Sequence, residues 1–149
     1  KEHNIQYTFL RYGSLYGPRA QEWNGLRKYV TEILNKKSIL YNGSGSEKRE
    51  YIYALDAARI SVDILSNKYI NKAVTISGQQ TLSSKQVIEM IFEISGIKKN
   101  LKFKNNLNPD HYSSSPYRYI PKPSVKITPG EYKDIGEGIL EMIERIKND

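Results

Sequence analysis

The spacing of hydrophobic and polar residues changes several times along this chain. Apolar-rich runs bounded by turn residues predict strands, and apolar residues three or four apart predict amphipathic helices. Strands are predicted over residues 5–15, 38–41, 49–55, 73–77 and 101–103. Helices are predicted over residues 25–36 and 136–147, with two more that begin at Asp56 and Ser83. Strands that alternate with helices define the α/β class of fold.

Several side chains mark the ends and buried faces of these elements. Asp56 is predicted to cap the second helix, while Ser83 and Gln86 form a capping box and Gly96 ends the third helix. The first strand is predicted to be mostly buried, and residues 105–129, rich in proline, to form an irregular loop. The predicted buried positions of the second and last helices are Ala57, Ala58, Val62, Leu65, Ile139, Leu140, Ile143 and Ile146.

The composition is that of a soluble globular domain, with 38% hydrophobic and 26% charged residues among 149. No apolar run approaches the roughly 18 residues of a membrane span, and no signal peptide is visible. The absence of cysteine excludes disulfides and thiol catalysis, and the two distant histidines do not suggest a metal site. We therefore expect one cytoplasmic unit over residues 1–149, without a bound metal.

Two loops carry candidate binding chemistry. The first strand ends at a loop containing Gly13, Gly17 and Pro18, with Arg19 just beyond, and a Gly43–Gly45 turn precedes the strand that starts at Arg49. Strand ends that open into loops with cationic side chains are common sites for phosphorylated ligands. Arg49 fits either a phosphate clamp or a surface salt bridge with a neighbouring glutamate. The turn is not a dinucleotide fingerprint, because a strand rather than a helix follows it.

The net charge of +7 and the twelve tyrosines also raise the possibility of nucleic-acid binding. The lysines, however, are scattered over predicted helix faces and element ends, and packing accounts for many of the tyrosines. We therefore do not expect nucleic acid as a partner.

The order and spacing of several motifs resemble a known family. Residues 10–19, Leu-Arg-Tyr-Gly-Ser-Leu-Tyr-Gly-Pro-Arg, and residues 43–58, which contain Arg-Glu-Tyr-Ile-Tyr-Ala-Leu-Asp, are similar to the C-terminal half of extended short-chain dehydrogenase/reductases. This group comprises the NAD-dependent nucleotide-sugar epimerases and dehydratases. The resemblance implies the last strands of a Rossmann-type fold, followed by a small substrate-binding domain.

The resemblance also assigns site residues. It places Tyr12 beside the nicotinamide of NAD, Ser14 near the sugar nucleotide, and Arg49 on the diphosphate. Leu40 and Asn42 fall where the family packs the edge of the nucleobase, and Asn42 replaces the usual aromatic residue. The full set of implied substrate-binding residues is Ser14, Tyr16, Arg19, Leu40, Asn42, Arg49 and Arg118.

The family's glycine-rich NAD loop and its catalytic Tyr-x-x-x-Lys pair do not occur in this sequence. The resemblance therefore implies that an N-terminal NAD-binding half completes the enzyme. The intact protein would be a homodimer acting on nucleotide-diphosphate sugars, and this chain alone would have no catalytic residues and no activity. The alternative is a non-catalytic module that binds a nucleotide or a partner protein.

Overall fold

The computed structural model describes residues 5–104 and 124–148. In chain order they form β1 (Thr8–Tyr12), β2 (Ser14–Tyr16), α1 (Gly25–Lys36), β3 (Ile39–Asn42), β4 (Lys48–Tyr53), α2 (Ala54–Asp63), β5 (Lys72–Ile76), β6 (Thr81–Ser83), α3 (Ser84–Ser95), β7 (Leu101–Lys104), β8 (Ser124–Ile127) and α4 (Ile135–Asn148). This arrangement confirms the α/β class. No helix of the described residues is both long and apolar enough to span a bilayer.

The strands make three small sheets. One is parallel, with the order β1-β5-β8, and a second has the order β2-β4-β6, with β4 parallel to β2 and antiparallel to β6. The third is the parallel pair β3 and β7. Two cores follow from this layout: α1, α3 and α4 bury one face of the second and third sheets, while α2 packs on the first sheet.

The predicted first strand is in fact two strands that belong to different sheets. The break falls at Gly13, whose amide donates to the Ile76 carbonyl at 2.7 Å. A Cβ at Gly13 would lie 2.6 Å from the Glu50 carbonyl oxygen, so only glycine allows β4 to cross so closely. The prediction of a mostly buried strand was also wrong, because Phe9 on β1 is 62% exposed.

The structure confirms the predicted bounds of α1 and the predicted capping residues of α3. Helix α1 spans the predicted residues, and Asn24 caps it by accepting from the amides of Leu26 and Arg27. The Ser83–Gln86 capping box is present, and Gly96 ends α3 with a left-handed φ of 69°.

The prediction for α2 was wrong in its cap and in three of the four residues of its buried face. The helix begins at Ala54, so Asp56 lies within the first turn, where its buried carboxylate accepts from the Lys133 amide at 2.9 Å. The inward positions are Ala57, Ile60 and Ile64, which pack against Ile52 of β4 and against β5. Ala57 is therefore buried as predicted, whereas Ala58, Val62 and Leu65 are exposed, the last two by 67% and 82%.

The C-terminal region departs from its prediction in two places. Strand β8 lies within the predicted irregular loop 105–129 and pairs with β5. In α4, Ile139 and Ile143 are buried as predicted, but Met142 rather than Leu140 completes the buried face. The helical spacing of apolar residues could not show which of Leu140 and Met142 is buried, because both belong to the apolar stripe of α4.

Candidate functional site

The paired strands β2 and β4 gather several of the predicted site residues on one face. Ser14 is in register with Tyr51, and Tyr16 with Tyr53. Side chains of registered residues share a face, and Arg49 joins them because it lies two residues before Tyr51. One strand spacing and two residue rises separate Ser14 from Arg49, which puts their Cα atoms roughly 8 Å apart. Ser14 and Arg49 therefore lie within reach of one diphosphate.

Tyrosine rings fill the space between these strands and α4. The Tyr16 ring packs edge-on against Tyr53, with centroids 5.6 Å apart, and against Tyr51 at 6.3 Å. Tyr53 donates to Glu141 at 2.7 Å. Burial, then the hydrogen bond and charge of Glu141, raise the pKa of Tyr53 to about 12. Burial, then nearby carboxylates led by Asp134, raise the pKa of Tyr16, so both hydroxyls stay protonated at neutral pH.

The loop after β2 forms a pocket of about 460 Å³. Two predicted residues, Tyr16 and Arg19, line this pocket together. Sequence reasoning missed its apolar lining, in which Leu15, Trp23 and Leu55 are 40%, 75% and 58% exposed. Neighbouring residues of a strand face opposite sides, so the position of Leu15 next to the buried Tyr16 was the signal that could have indicated an exposed apolar side chain. Largely apolar hollows with a few polar groups are the usual form of a small-molecule site.

Arg49 lies near the opposite end of β4 from this pocket. Its charge acts on the two tyrosines beside it, Tyr29 and Tyr51, opposing the larger effect of burial, which raises the pKa of both. The neighbouring glutamates make contacts of their own. Glu47 accepts from the Ser44 amide at 2.7 Å, and Glu50 pairs with Lys126 at 2.7 Å.

The turn that leads to Arg49 is closed by Glu47. This side chain is 8% exposed and accepts from both the amide and the hydroxyl of Ser44. Burial opposes ionisation of Glu47, but hydrogen bonds from its own amide, Ser44 and Tyr41 outweigh burial and hold its pKa below the usual range. The carboxylate therefore fixes the turn at neutral pH.

We expect acid to weaken this turn. Because the folded-state pKa of Glu47 lies below the unfolded value of about 4.3, its stabilising contribution is present above that pH and is lost as the pH falls through the folded pKa. Glu47→Gln should reduce the free energy of unfolding by about 1 kcal/mol at pH 7, and this difference should shrink at pH 3. Urea unfolding at both pH values measures it. A difference that does not change with pH would show that the ionised form has no special role.

The remaining predicted residues lie at the edges of this region. Leu40 and Asn42 are exposed on the outer face of β3, while Tyr41 between them is buried. Tyr12 ends β1, and its hydroxyl bonds to the Ser61 hydroxyl of α2 at 2.7 Å. Arg118 lies outside the described residues. Ser14, Tyr16 and Arg49 thus share one strand face, Arg19 joins Tyr16 in the pocket, and Leu40 and Asn42 lie on a separate sheet.

Comparison with known proteins identifies the class to which this fold and these strand-end loops belong. The profile of the NAD dependent epimerase/dehydratase family matches residues 1–76, about half of the chain. The chain belongs to this family.

Individual relatives agree with this assignment. An uncharacterised UDP-glucose epimerase of Bacillus subtilis, YtcB, is 27% identical over 69% of this chain and 33% of its own length. The structure of UDP-glucose 4-epimerase from Thermotoga maritima with UDP-glucose superposes with a TM-score of 0.76 at 20% identity, covering 99% of this chain and 48% of that one. The structure of UDP-N-acetylglucosamine 4-epimerase from Methanobrevibacter ruminantium superposes with a TM-score of 0.76 at 17% identity, and it too covers 99% of this chain and 48% of its own. The chain thus spans about a third of that curated relative and about half of these solved chains.

Proposed function

We propose that this chain is the substrate-binding portion of an NAD-dependent nucleotide-sugar epimerase or dehydratase. The observation that carries the proposal is the shared strand face that places Ser14 beside Arg49. Guanidinium donors match the geometry of phosphate oxygens, and a hydroxyl adds a neutral donor next to them. The solved relatives with UDP-glucose and UDP-N-acetylmuramic acid support a nucleotide-diphosphate sugar as the ligand.

In this proposal the pocket beyond β2 receives the part of the ligand away from the nucleotide. Arg19 supplies a cationic group in its lining, and Trp23 supplies a flat apolar surface. The protonated hydroxyls of Tyr16 and Tyr53 lie behind it, held by packing in the core. The chain's own contribution is therefore to bind and orient the sugar nucleotide.

The described residues do not form a complete dinucleotide site. The Gly43–Gly45 turn leads into β4 rather than into a helix, and the hydroxyl of Tyr12 is engaged by Ser61. NAD would supply the oxidation of a sugar hydroxyl, held mainly by an NAD-binding half. A non-catalytic module that binds a nucleotide or a partner protein remains the second candidate.

The NAD-binding half has a place to join the first sheet. Among the described residues β1 pairs only with β5, so its other edge is open. Ile5 and Phe9 beside this edge are 71% and 62% exposed. An open apolar strand edge favours addition of a further strand. The proposal includes this junction, together with a cytoplasmic location and a homodimeric intact enzyme.

Replacing Arg49 with alanine tests the proposed phosphate contact. Loss of a charge-assisted hydrogen bond costs about 1.5–3 kcal/mol, so the dissociation constant for UDP-glucose should rise roughly ten- to hundredfold. Isothermal titration calorimetry of the two proteins measures this change.

The matched control is Arg59→Ala on α2. Arg59 is 74% exposed, pairs with Asp56 at 3.3 Å and does not line the pocket, so its loss should leave UDP-glucose affinity unchanged. Equal affinities of the Arg49→Ala variant and the parent chain would contradict the phosphate assignment.

A further inference from the structure

The outer face of the β3–β7 sheet carries two lysines that no sequence motif singles out. Leu40 is in register with Lys102, and Asn42 with Lys104. All four side chains point away from the core and are exposed, whereas Ile39 and Tyr41 point inward. The register therefore sets two ammonium groups beside the residues predicted to pack against the nucleobase.

This strand pair is attached to the turn that leads to Arg49. The Gly43 amide donates to the Lys104 carbonyl at 3.0 Å. The ring of Phe103 packs on Tyr41 with centroids 6.1 Å apart and occupies the space beside Gly45. Asn42, Lys104 and the turn before Arg49 thus converge on one rim.

The charges on this rim are not neutralised within the part of the chain that the structure describes. No carboxylate there lies within 4.0 Å of the Lys102 or Lys104 ammonium group, although Lys36, Lys99, Lys126 and Lys133 all have such partners. Two cations on one strand face attract an anion and are screened by salt. A phosphate-bearing nucleotide supplies both the anion for the lysines and a flat base for Leu40.

We propose that Lys102 and Lys104 attract the phosphate groups of the nucleotide electrostatically, a role that rests on the proposed function. The two lysines supplement Arg49 with charge from a second strand. They contribute through long-range attraction, since exposed ammonium groups make weaker contacts than a partly buried guanidinium.

The test is UDP binding to the whole chain, measured by calorimetry in 50 mM and 500 mM salt. Each single lysine-to-glutamine change should weaken binding about threefold, and Lys102→Gln with Lys104→Gln together about tenfold at low salt. The difference should largely vanish at high salt, where the screening length falls to about 4 Å. The control pair Lys28→Gln and Lys147→Gln removes the same charge from α1 and α4.

Each outcome of the binding measurements either supports or overturns the inference. A tenfold loss confined to the Lys102/Lys104 variant supports the proposal. UDP binding that neither pair affects, or that both pairs weaken equally, overturns this inference but leaves the proposed function standing. Failure of the unmodified chain to bind UDP overturns both. Binding of a single-stranded oligonucleotide more tightly than UDP, lost in the same variant, overturns the inference in favour of nucleic acid.

Discussion

Gly78→Ala is expected to destabilise the fold by at least about 3 kcal/mol, because the new methyl group would overlap a rigid backbone. A Cβ at Gly78 would collide with the Tyr51 carbonyl oxygen and lie 2.8 Å from its carbonyl carbon. The obstructing atoms belong to β4, which is paired on one side with β2 and on the other with β6. No side-chain rotation relieves this overlap. Urea unfolding should show a large drop in midpoint or no folded baseline.

Gly130→Ala is the matched control. A Cβ at Gly130 meets no atom of the described residues within 4 Å, and its φ is not in the left-handed region. The free energy of unfolding of this variant should stay within about 0.5 kcal/mol of the parent value. If Gly78→Ala behaved like this control, the close approach of β5 and β4 would not exist in solution.

The same crossing explains how the two cores are held together at the proposed site. Gly13 and Gly78 let β4 pass over the carboxyl ends of β1 and β5. The buried Glu50 then reaches Lys126 of β8 at 2.7 Å, which ties the second sheet to the first. Arg49 immediately precedes Glu50, so the position of the proposed phosphate clamp depends on this junction rather than on a flexible loop.

The elements with local signals could be predicted from the sequence. The helix α1 and the capping box of α3 depend on residues close together in the chain, such as Ser83 and Gln86, and their signals do not need the tertiary fold. The family assignment was likewise available, because the motifs around Tyr16 and Arg49 occur in the right order.

The features that were missed depend on contacts between distant segments. The break at Gly13 exists because the Glu50 carbonyl passes beside it, and the orientation of α2 is set by the apolar side chains of β4 and β5. Strand β8 lacks a strong pattern of its own and exists as a partner of β5. The exposed face that joins Lys102 to Leu40 follows from register, which no local pattern specifies.

The open edge of β1 leads to the second large expected effect, which concerns association. Phe9 of β1 is 62% exposed, whereas Val74 and Ile76 of the neighbouring β5 are completely buried, which confines the expected contact to β1. The chain should therefore associate through this edge at tens of micromolar concentration, and Phe9→Lys should convert it to a monomer, because an inserted charge opposes strand addition. Sedimentation velocity measures the change.

The Val62→Lys variant distinguishes strand pairing at the edge of β1 from nonspecific hydrophobic association. Val62 is 67% exposed on α2, slightly more than Phe9, but it lies on a helix with no open backbone hydrogen bonds. If strand addition drives association, only Phe9→Lys should remove it. Equal effects of the two variants would show that apolar area alone is responsible, and a monomeric parent chain would mean that β1 needs no further strand. Addition of a strand by the NAD-binding half would compete with self-association, so the same edge links the behaviour of this chain to assembly of the proposed enzyme.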